Sequence, residues 1–135
     1  MPVLCDFAVI EFPNIPDGTF KKPLLIGDNL NKDFSATFNT GGLHHASALL
    51  TMMVRGLTRG SAIVRINGTK IGELSPSSDA DKNIWRQQQF LIQTNILDNG
   101  DNTLTVERVP NDLSSGGAFD DFEIHSIACF FHQAS

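Results

Sequence analysis

The single tryptophan of this 135-residue chain, Trp85, ends a segment rich in carboxylate and amide side chains, SSDADKNIW (77–85). An indole ring offers an apolar surface to the C–H face of a sugar, and carboxylates and amides bond its hydroxyls. This combination is typical of carbohydrate recognition. The alternative is that Trp85 packs in the core or at its rim, because tryptophan is highly buried on average. One Trp and no Tyr also leave few platforms on which a sugar can stack.

Other residues in the sequence are of metal-ligating types. Asp79 and Asp81 could supply oxygens to Ca²⁺, which prefers six to eight of them, but the rest of a calcium loop is missing and a solvated turn is the alternative. His44 and His45 are adjacent, so in a strand their side chains would point apart. We therefore interpret them as loop histidines that bind no metal.

Several classes of function are disfavoured. The sequence lacks a G-x-S-x-G elbow, a P-loop and an H-E-x-x-H motif, so we predict that it is not an enzyme. The formal net charge of −5, with no cluster of Lys and Arg, argues against nucleic acid as a partner. No apolar run approaches the roughly 20 residues of a membrane span. The start of the sequence has no basic region or cleavage site typical of a signal peptide, so its location is either cytoplasmic or reached by another export route.

The segment AIVRINGTKIGEL (62–74) predicts a β-hairpin. Apolar residues alternate with others up to Ile66, which is the two-residue period of a strand. Asn67 and Gly68 then form the pair that most readily adopts positive φ at both central positions of a type I′ turn. The apolar pattern resumes at Ile71 and Leu74.

The rest of the chain also favours strands separated by turns. Alternation or apolar runs predict strands at 3–12, 34–38, 47–57, 85–94, 103–109 and 119–131. Between them lie stretches rich in Gly, Pro, Asn and Asp, such as LDNGDN and PNDLSSGG. We therefore predict an all-β protein with a single domain, residues 1–135, folded as an antiparallel β-sandwich or jelly roll.

The order of three motifs carries a resemblance to a known family. The hairpin VRINGTKIGEL is followed by a strand holding QQFLI, then ILDNGDNTLTVERV, and then a last strand opened by DDFEI. Over roughly residues 47–131 this resembles the galactose-binding-domain-like jelly-roll β-sandwich of carbohydrate-binding modules and glycosidase accessory domains. The resemblance implies that Asp120 and Asp121, which open the last strand, could meet a structural calcium. We predict no other cofactor.

The resemblance also bears on the two cysteines. In this sandwich type the first and last strands commonly lie side by side, which would bring Cys5 and Cys129 close to each other. A disulfide between them is one alternative. The other is a pair of reduced, buried thiols, which the lack of a signal peptide favours.

Strand direction divides the loops between two ends of the predicted sandwich. The Asn67-Gly68 turn shares one end, named the turn end, with loops 40–46 and 96–102. The other, named the loop end, collects loops 58–60, 75–84 and 110–118, which are longer and more polar. We predict a ligand site there, formed by Arg59, Asp79, Asp81, Asn83, Trp85, Asn111 and Asp112.

Two functions follow as hypotheses. The first is non-enzymatic, lectin-like binding of a carbohydrate through the loop end. The second is a structural or interaction module that self-associates through a sheet face, as a homo-oligomer, and binds no small ligand. The sequence does not identify the sugar.

Overall fold

The computed structural model describes residues 3–12, 22–41, 47–111 and 117–134, with residues 3–5 and 133–134 described by their backbone alone. Within those residues the elements are, in chain order, β1 (Val3–Val9), β2 (Leu24–Ile26), β3 (Phe34–Asn39), β4 (Ala48–Arg55), β5 (Ala62–Ile66), β6 (Thr69–Leu74), a 3-10 helix (Asp79–Asp81), β7 (Arg86–Ile92), β8 (Asp101–Val106) and β9 (Phe122–Ala134). Among the described residues, no helix has the length and apolar content that crossing a membrane requires.

The strands form two antiparallel sheets. The larger sheet has the order β1-β9-β4-β7, and β2 also pairs with β9; the smaller has the order β3-β8-β5-β6. The long β9 serves three partners: β4 along one side, and β2 and then β1 along the other. This architecture confirms the predicted all-β antiparallel jelly-roll sandwich.

The core lies between the two sheets, and strand alternation accounts for it. In β3, β4 and β5 every second residue is buried, starting from the first. The buried set includes Phe34, Leu50 and Val64, all with little or no exposed surface. Because successive side chains in a strand point to opposite faces, each sheet has one face in the core and one face away from it. The face of the larger sheet that turns away from the smaller sheet is named the outer face below.

The predicted hairpin is confirmed as β5 and β6. Asn67 has φ 52° and Gly68 has φ 83°, the two positive values that a type I′ turn requires. Asn67 also fixes its surroundings, because its Nδ2 donates to Asn102 Oδ1 at 2.8 Å and its Oδ1 accepts from Thr103 N at 2.9 Å. The turn therefore joins β5 to the start of β8 as well as to β6.

The predicted division of loops between two ends is also confirmed for the described residues. At the turn end, Asn67 Nδ2 donates to Ile96 O at 3.0 Å and Thr40 Oγ1 donates to Asp98 O at 3.1 Å. At the loop end, Ser77 N donates to Leu57 O at 2.8 Å. Residues 42–46, which include His44 and His45, and residues 112–116 lie outside the described residues.

Strand boundaries differ most from the predicted ones at β1, β8 and β9. β1 ends at Val9 rather than at residue 12, and β9 begins at Phe122 and extends to Ala134. β8 occupies residues 101–106 rather than 103–109. The short β2 is absent from the prediction, because three residues are too few to show a periodicity.

The two cysteines lie on paired terminal strands but not opposite each other. β1 and β9 are antiparallel neighbours, as the resemblance implied, with Cys5 opposite His132 and Ala8 opposite Cys129. The cysteines are therefore offset by three positions along β1, from Cys5 to Ala8, which is about 10 Å at the usual rise per residue. A disulfide needs Cα atoms within about 7 Å. This register contradicts a Cys5–Cys129 bridge, and Cys129 is a buried free thiol.

Candidate functional site

The polar cluster closest to Trp85 lies on the outer face, where the larger sheet meets the loop end. Val54 and Ile124 are buried in the core, so their neighbours Arg55 and Glu123 project to the outer face. The register sets Arg55 directly opposite Glu123 across β4 and β9. Leu25 of β2 lies opposite Glu123 on the other side and is exposed.

Arg55 and Glu123 form the ion pair at the centre of this cluster. Arg55 Nε and Nη2 both donate to Glu123 Oε1, at 3.0 and 2.8 Å. The two side chains are 34% and 30% exposed, so the pair is open to solvent and to a ligand. Two donors on one planar group fix the orientation of the guanidinium relative to the sheet.

Trp85 packs against this ion pair on the outer face. The guanidinium carbon of Arg55 lies 4.5 Å from the centroid of the indole ring, which is a cation–π contact. On the same ring, the imidazole of His125 makes an edge contact, with centroids 4.3 Å apart and planes at 85°. Trp85 is partly buried, so it is neither a core residue nor a freely projecting platform.

His125 is oriented by a β-bulge in β9. The register of β4 with β9 shifts between Thr51 and Met53, and Ser126 adopts φ 52° at that point. Such a bulge redirects neighbouring side chains. The Nδ1 of His125 lies 2.6 Å from Ser126 Oγ. Burial lowers the pKa of His125 below its ordinary 6.5, the positive charge of Arg55 lowers it further, and Glu123 opposes both effects.

A cleft of about 340 Å³ opens beside the ion pair. Its walls come from β2, the end of β4, the loop after the 3-10 helix and the start of β9, and they consist of Leu25, Arg55, Gly56, Lys82, Asn83, Asp121, Phe122 and Glu123. Two of these side chains are cationic and two are anionic. The formal charges balance, so this cleft suits a neutral polar ligand better than an ion.

The predicted site residues in loops 58–60 and 75–84 are partly brought together. Arg59 Nη2 lies 3.9 Å from Asp79 Oδ1, and Asp81 Oδ2 accepts a hydrogen bond from Ser78 Oγ at 3.3 Å. All three predicted residues are exposed. Surface ion pairs of this kind contribute about 0–1 kcal/mol, so this group is loosely held.

The other predicted site residues are divided between the cleft and a separate loop. Asn83 lines the cleft. Trp85 is not among the lining residues, but its ring contacts Arg55, which is one of them. Asn111 does not line the cleft, and its backbone N–H donates to Ala118 O at 2.9 Å. Asp112 lies outside the described residues.

Asp120 and Asp121, which come immediately before β9, accept hydrogen bonds from the backbone of two loops. Asp120 is only 8% exposed, and its Oδ2 accepts from Thr58 N at 2.8 Å and from Arg59 N at 2.9 Å. Asp121 Oδ1 accepts from Asp28 N at 3.0 Å. These bonds fasten the loop after β4, and the loop after β2, to the start of β9.

A calcium ion at this pair stays a prediction. Within the described residues, no group of three or more His, Cys, Asp and Glu side chains converges where a metal ion could bind. Asp120 Oδ2 and Asp121 Oδ1 already accept backbone hydrogen bonds, so the two carboxylates alone would not supply the six to eight oxygens that calcium prefers.

Three residues of the cluster, Arg55, Glu123 and His125, were not predicted from the sequence as site residues. The alternation in SALLTMMVRGL could have indicated the position of Arg55. It places Arg55 on the same strand face as Leu49 and Met53, opposite to the face of the buried residues. Nothing in the sequence indicated that Glu123 would pair with it, because that pairing depends on the order of strands in the sheet.

Comparison with solved structures agrees with this fold. A β-porphyranase of glycoside hydrolase family 86 from the human gut bacterium Bacteroides plebeius is 17% identical, with a TM-score of 0.50 over 98% of this chain and 21% of that chain. This chain thus corresponds to about a fifth of the porphyranase. A family 35 carbohydrate-binding module from Clostridium thermocellum is 15% identical, covers 92% of both chains and has a TM-score of 0.46. A family 29 carbohydrate-binding module from Piromyces equi is 11% identical over 94% of this chain and 80% of that chain, with a TM-score of 0.45.

At these identities the likeness concerns the fold. The β-porphyranase thus agrees with the β-sandwich fold of this chain. No protein-family model matches the chain, and no curated protein matches it significantly.

Proposed function

We propose that this chain is a non-enzymatic carbohydrate-binding module that holds a sugar in the cleft beside Trp85. The observation that carries the proposal is the position of Arg55, which is bonded to Glu123, stacked on Trp85 and part of the cleft wall at once. Its guanidinium is therefore oriented before any ligand arrives. A site whose polar groups are already oriented loses less freedom on binding.

The chemistry of the cleft matches a sugar in three respects. A volume of about 340 Å³ lies in the range of small-ligand sites. Arg55 and Asn83 can donate hydrogen bonds to hydroxyls, and Glu123 and Asp121 can accept from them. Leu25 supplies exposed apolar surface for C–H groups within the cleft, and Trp85 supports Arg55 in the cleft wall.

The loop residues predicted from the sequence have a secondary place in this proposal. Arg59, Asp79 and Asp81 lie at the same end of the sandwich and are exposed. We propose that they contact parts of a glycan that extend beyond the cleft. The cleft itself depends on Arg55, Glu123 and Asn83.

A glycan array probed with the purified chain tests the function, and a Trp85→Ala variant tests the site. We expect binding to at least one class of neutral glycan, and we expect Trp85→Ala to abolish it while the thermal melting curve stays cooperative. A Trp85→Phe variant, which keeps an aromatic ring for Arg55, should retain part of the binding. Loss of binding together with a collapsed melting temperature would instead make Trp85 a packing residue.

Self-association through the outer face is a second candidate function, favoured by exposed apolar side chains. Phe7, Phe130 and Leu91 are 58%, 45% and 61% exposed. Exposed apolar patches often mark interaction sites. Light scattering that gives a mass well above 14.8 kDa, with no glycan bound on the array, would favour this function over carbohydrate binding.

A further inference from the structure

The outer face continues beyond the Trp85 cluster as an ordered series of rows across β7, β4 and β9. After the row that contains Arg55, Met53 lies opposite both Gln87 and His125. Thr51 then lies opposite Gln89 and Ala128, and Leu49 lies opposite Leu91 and Phe130. Phe130 in turn lies opposite Phe7 of β1.

These rows form a path of defined length. From Trp85 to Leu91 the chain advances six residues along β7, which is about 20 Å at the rise of a strand. The rows are two residues apart, so they repeat at about 7 Å. The path is longer than a single sugar ring and lies on an open sheet face rather than in a closed pocket.

The side chains change character along the path. The middle rows contain Met53, His125 and Ala128 beside neutral groups that can donate and accept hydrogen bonds. These neutral groups are the exposed amides of Gln87 and Gln89 and the hydroxyl of Thr51. The last row is apolar, and the rings of Phe7 and Phe130 lie there with centroids 6.0 Å apart. Among the described residues of the rows beyond Arg55 and Glu123, none is an Asp, Glu, Lys or Arg.

We propose that the ligand is an internal stretch of an unbranched, neutral polysaccharide that lies along the outer face from Trp85 to Phe130. This inference rests on the proposed function and adds to it the class of ligand. The path lies on an open sheet face, so the proposal requires no recognition of a chain end. Apolar surface at both ends and neutral amides between them match a polymer that alternates C–H faces with hydroxyls. Because exposed amides and a hydroxyl interrupt the apolar side chains in the middle rows, the centre of the face is more polar than the core typical of interfaces between copies of a chain.

Isothermal titration calorimetry of the full chain with oligosaccharides of increasing length tests this proposal. The probes are neutral, unbranched oligosaccharides of the linkage found on the array, from disaccharide to hexasaccharide. We expect the affinity to rise by about tenfold or more from the shortest to the longest. An acidic series with uronic acids of the same lengths should bind more weakly.

Variants in the row farthest from Trp85 test whether that end of the path contacts the ligand. Leu91→Ala and Phe130→Ala should weaken hexasaccharide binding and leave disaccharide binding in the cleft unchanged. Thr37→Ala, an exposed position on the smaller sheet, is the matched control and should change neither.

Each contrary outcome has a distinct meaning. If neither a neutral nor an acidic glycan binds, the proposed function itself is wrong. If a disaccharide binds as tightly as a hexasaccharide, and the two distant variants behave as wild type, carbohydrate binding stands and the extended path is wrong. Tighter binding of the acidic series would overturn the neutral class. Another contrary result would be a dimer in solution that Leu91→Ala and Phe130→Ala convert to a monomer, together with an oligosaccharide affinity that does not depend on length. That result would assign the face to a second copy of the chain.

Discussion

Arg55 lies directly opposite Glu123 in the antiparallel pairing of β4 with β9, and its Nη2 atom donates a hydrogen bond of 2.8 Å to Glu123 Oε1. The backbone pairing of two central strands of the larger sheet thus brings the side chains together. A pair held in this way keeps its geometry better than one formed between two mobile loops, which is why we place the candidate site at this pair.

Replacement of Arg55 by Lys tests the geometry of the pair while it preserves the charge. Lysine cannot stack a planar group on Trp85 or present two fixed donors to Glu123. We expect glycan affinity to fall by about tenfold or more, which is about 1.4 kcal/mol. The melting temperature should change little, because exposed ion pairs contribute about 0–1 kcal/mol to stability.

Arg65 provides the control for that substitution. It pairs with Glu107 on the smaller sheet, with Nε 3.7 Å from Oε2. Arg65→Lys should leave glycan affinity unchanged. Equal losses in the two variants would indicate a general effect on the fold or on the surface charges, and not a site at Arg55.

The stability of the protein should depend on pH through His125. Its folded-state pKa is lowered by burial and by Arg55, so as pH falls below 6.5 the unfolded chain takes up a proton before the folded one does. Unfolding is then favoured, and stability declines until the folded-state pKa is passed. Urea denaturation between about pH 7.5 and pH 5.5, where histidine titrates, should show this decline, and His125→Gln should reduce it. An unchanged slope in the variant would assign the decline to other groups.

Asp120 should be more important for stability than its neighbour Asp121. In Asp120→Ala, the backbone N–H groups of Thr58 and Arg59 lose their acceptor, at a cost of about 1–3 kcal/mol for buried groups left unpaired. Asp120→Asn keeps one acceptor oxygen and should recover part of this loss. Asp121 is exposed, so Asp121→Ala should cost less. Chemical denaturation measures all three, and similar losses at both aspartates would contradict this assignment.

The same variants address the calcium hypothesis. Since the described residues form no cluster of three or more His, Cys, Asp and Glu side chains that could hold a metal ion, we expect the same melting temperature with calcium and with a chelator. A rise in melting temperature with calcium in the wild type, absent in Asp121→Ala, would instead support a structural calcium at this position.

Gly68→Val should destabilise the hairpin. Gly68 has φ 83°, and an added Cβ would meet nothing within 4 Å. The cost is therefore backbone strain, about 1–3 kcal/mol for a β-branched residue at positive φ. Gly68→Asn is the control, since asparagine tolerates this conformation. Wild-type-like melting of Gly68→Val would contradict the type I′ turn.

The two cysteines should carry no disulfide between them. Mass spectrometry after alkylation under denaturing conditions should give the same mass with and without prior reduction. In the folded protein Cys129 should resist alkylation, because burial raises the pKa of its thiol to about 12 and the thiolate is the reactive form. A mass difference of two alkyl groups between the two samples would reveal a disulfide and contradict the register of β1 and β9.

Local patterns predicted much of this fold because local chemistry determines those parts. The Asn67-Gly68 turn, the alternation of β3 and the division of loops between the two ends all depend on residues close in sequence. The candidate site was predicted less well. Asn83 lines the cleft and Trp85 contacts Arg55 in its wall, whereas Asn111 does not line it.

The sequence could not show which strands are neighbours in each sheet. Glu123 and Arg55 are far apart in sequence and meet only because β9 lies beside β4. The offset of Cys5 from Cys129 likewise follows from a register that neither strand encodes alone. The bulge at Ser126 could not be predicted from the sequence either, because serine is an unusual residue for positive φ.

That serine has a consequence for hydrogen bonding at the outer face. The Ser126 hydroxyl can donate to Nδ1 of His125 or accept from it, so both tautomers of the neutral imidazole are compatible with the 2.6 Å contact. A rotation of one O–H bond is enough to accompany the change from one tautomer to the other. The opposite ring nitrogen, Nε2, can therefore be a donor for one hydroxyl orientation and an acceptor for another, with no movement of the backbone.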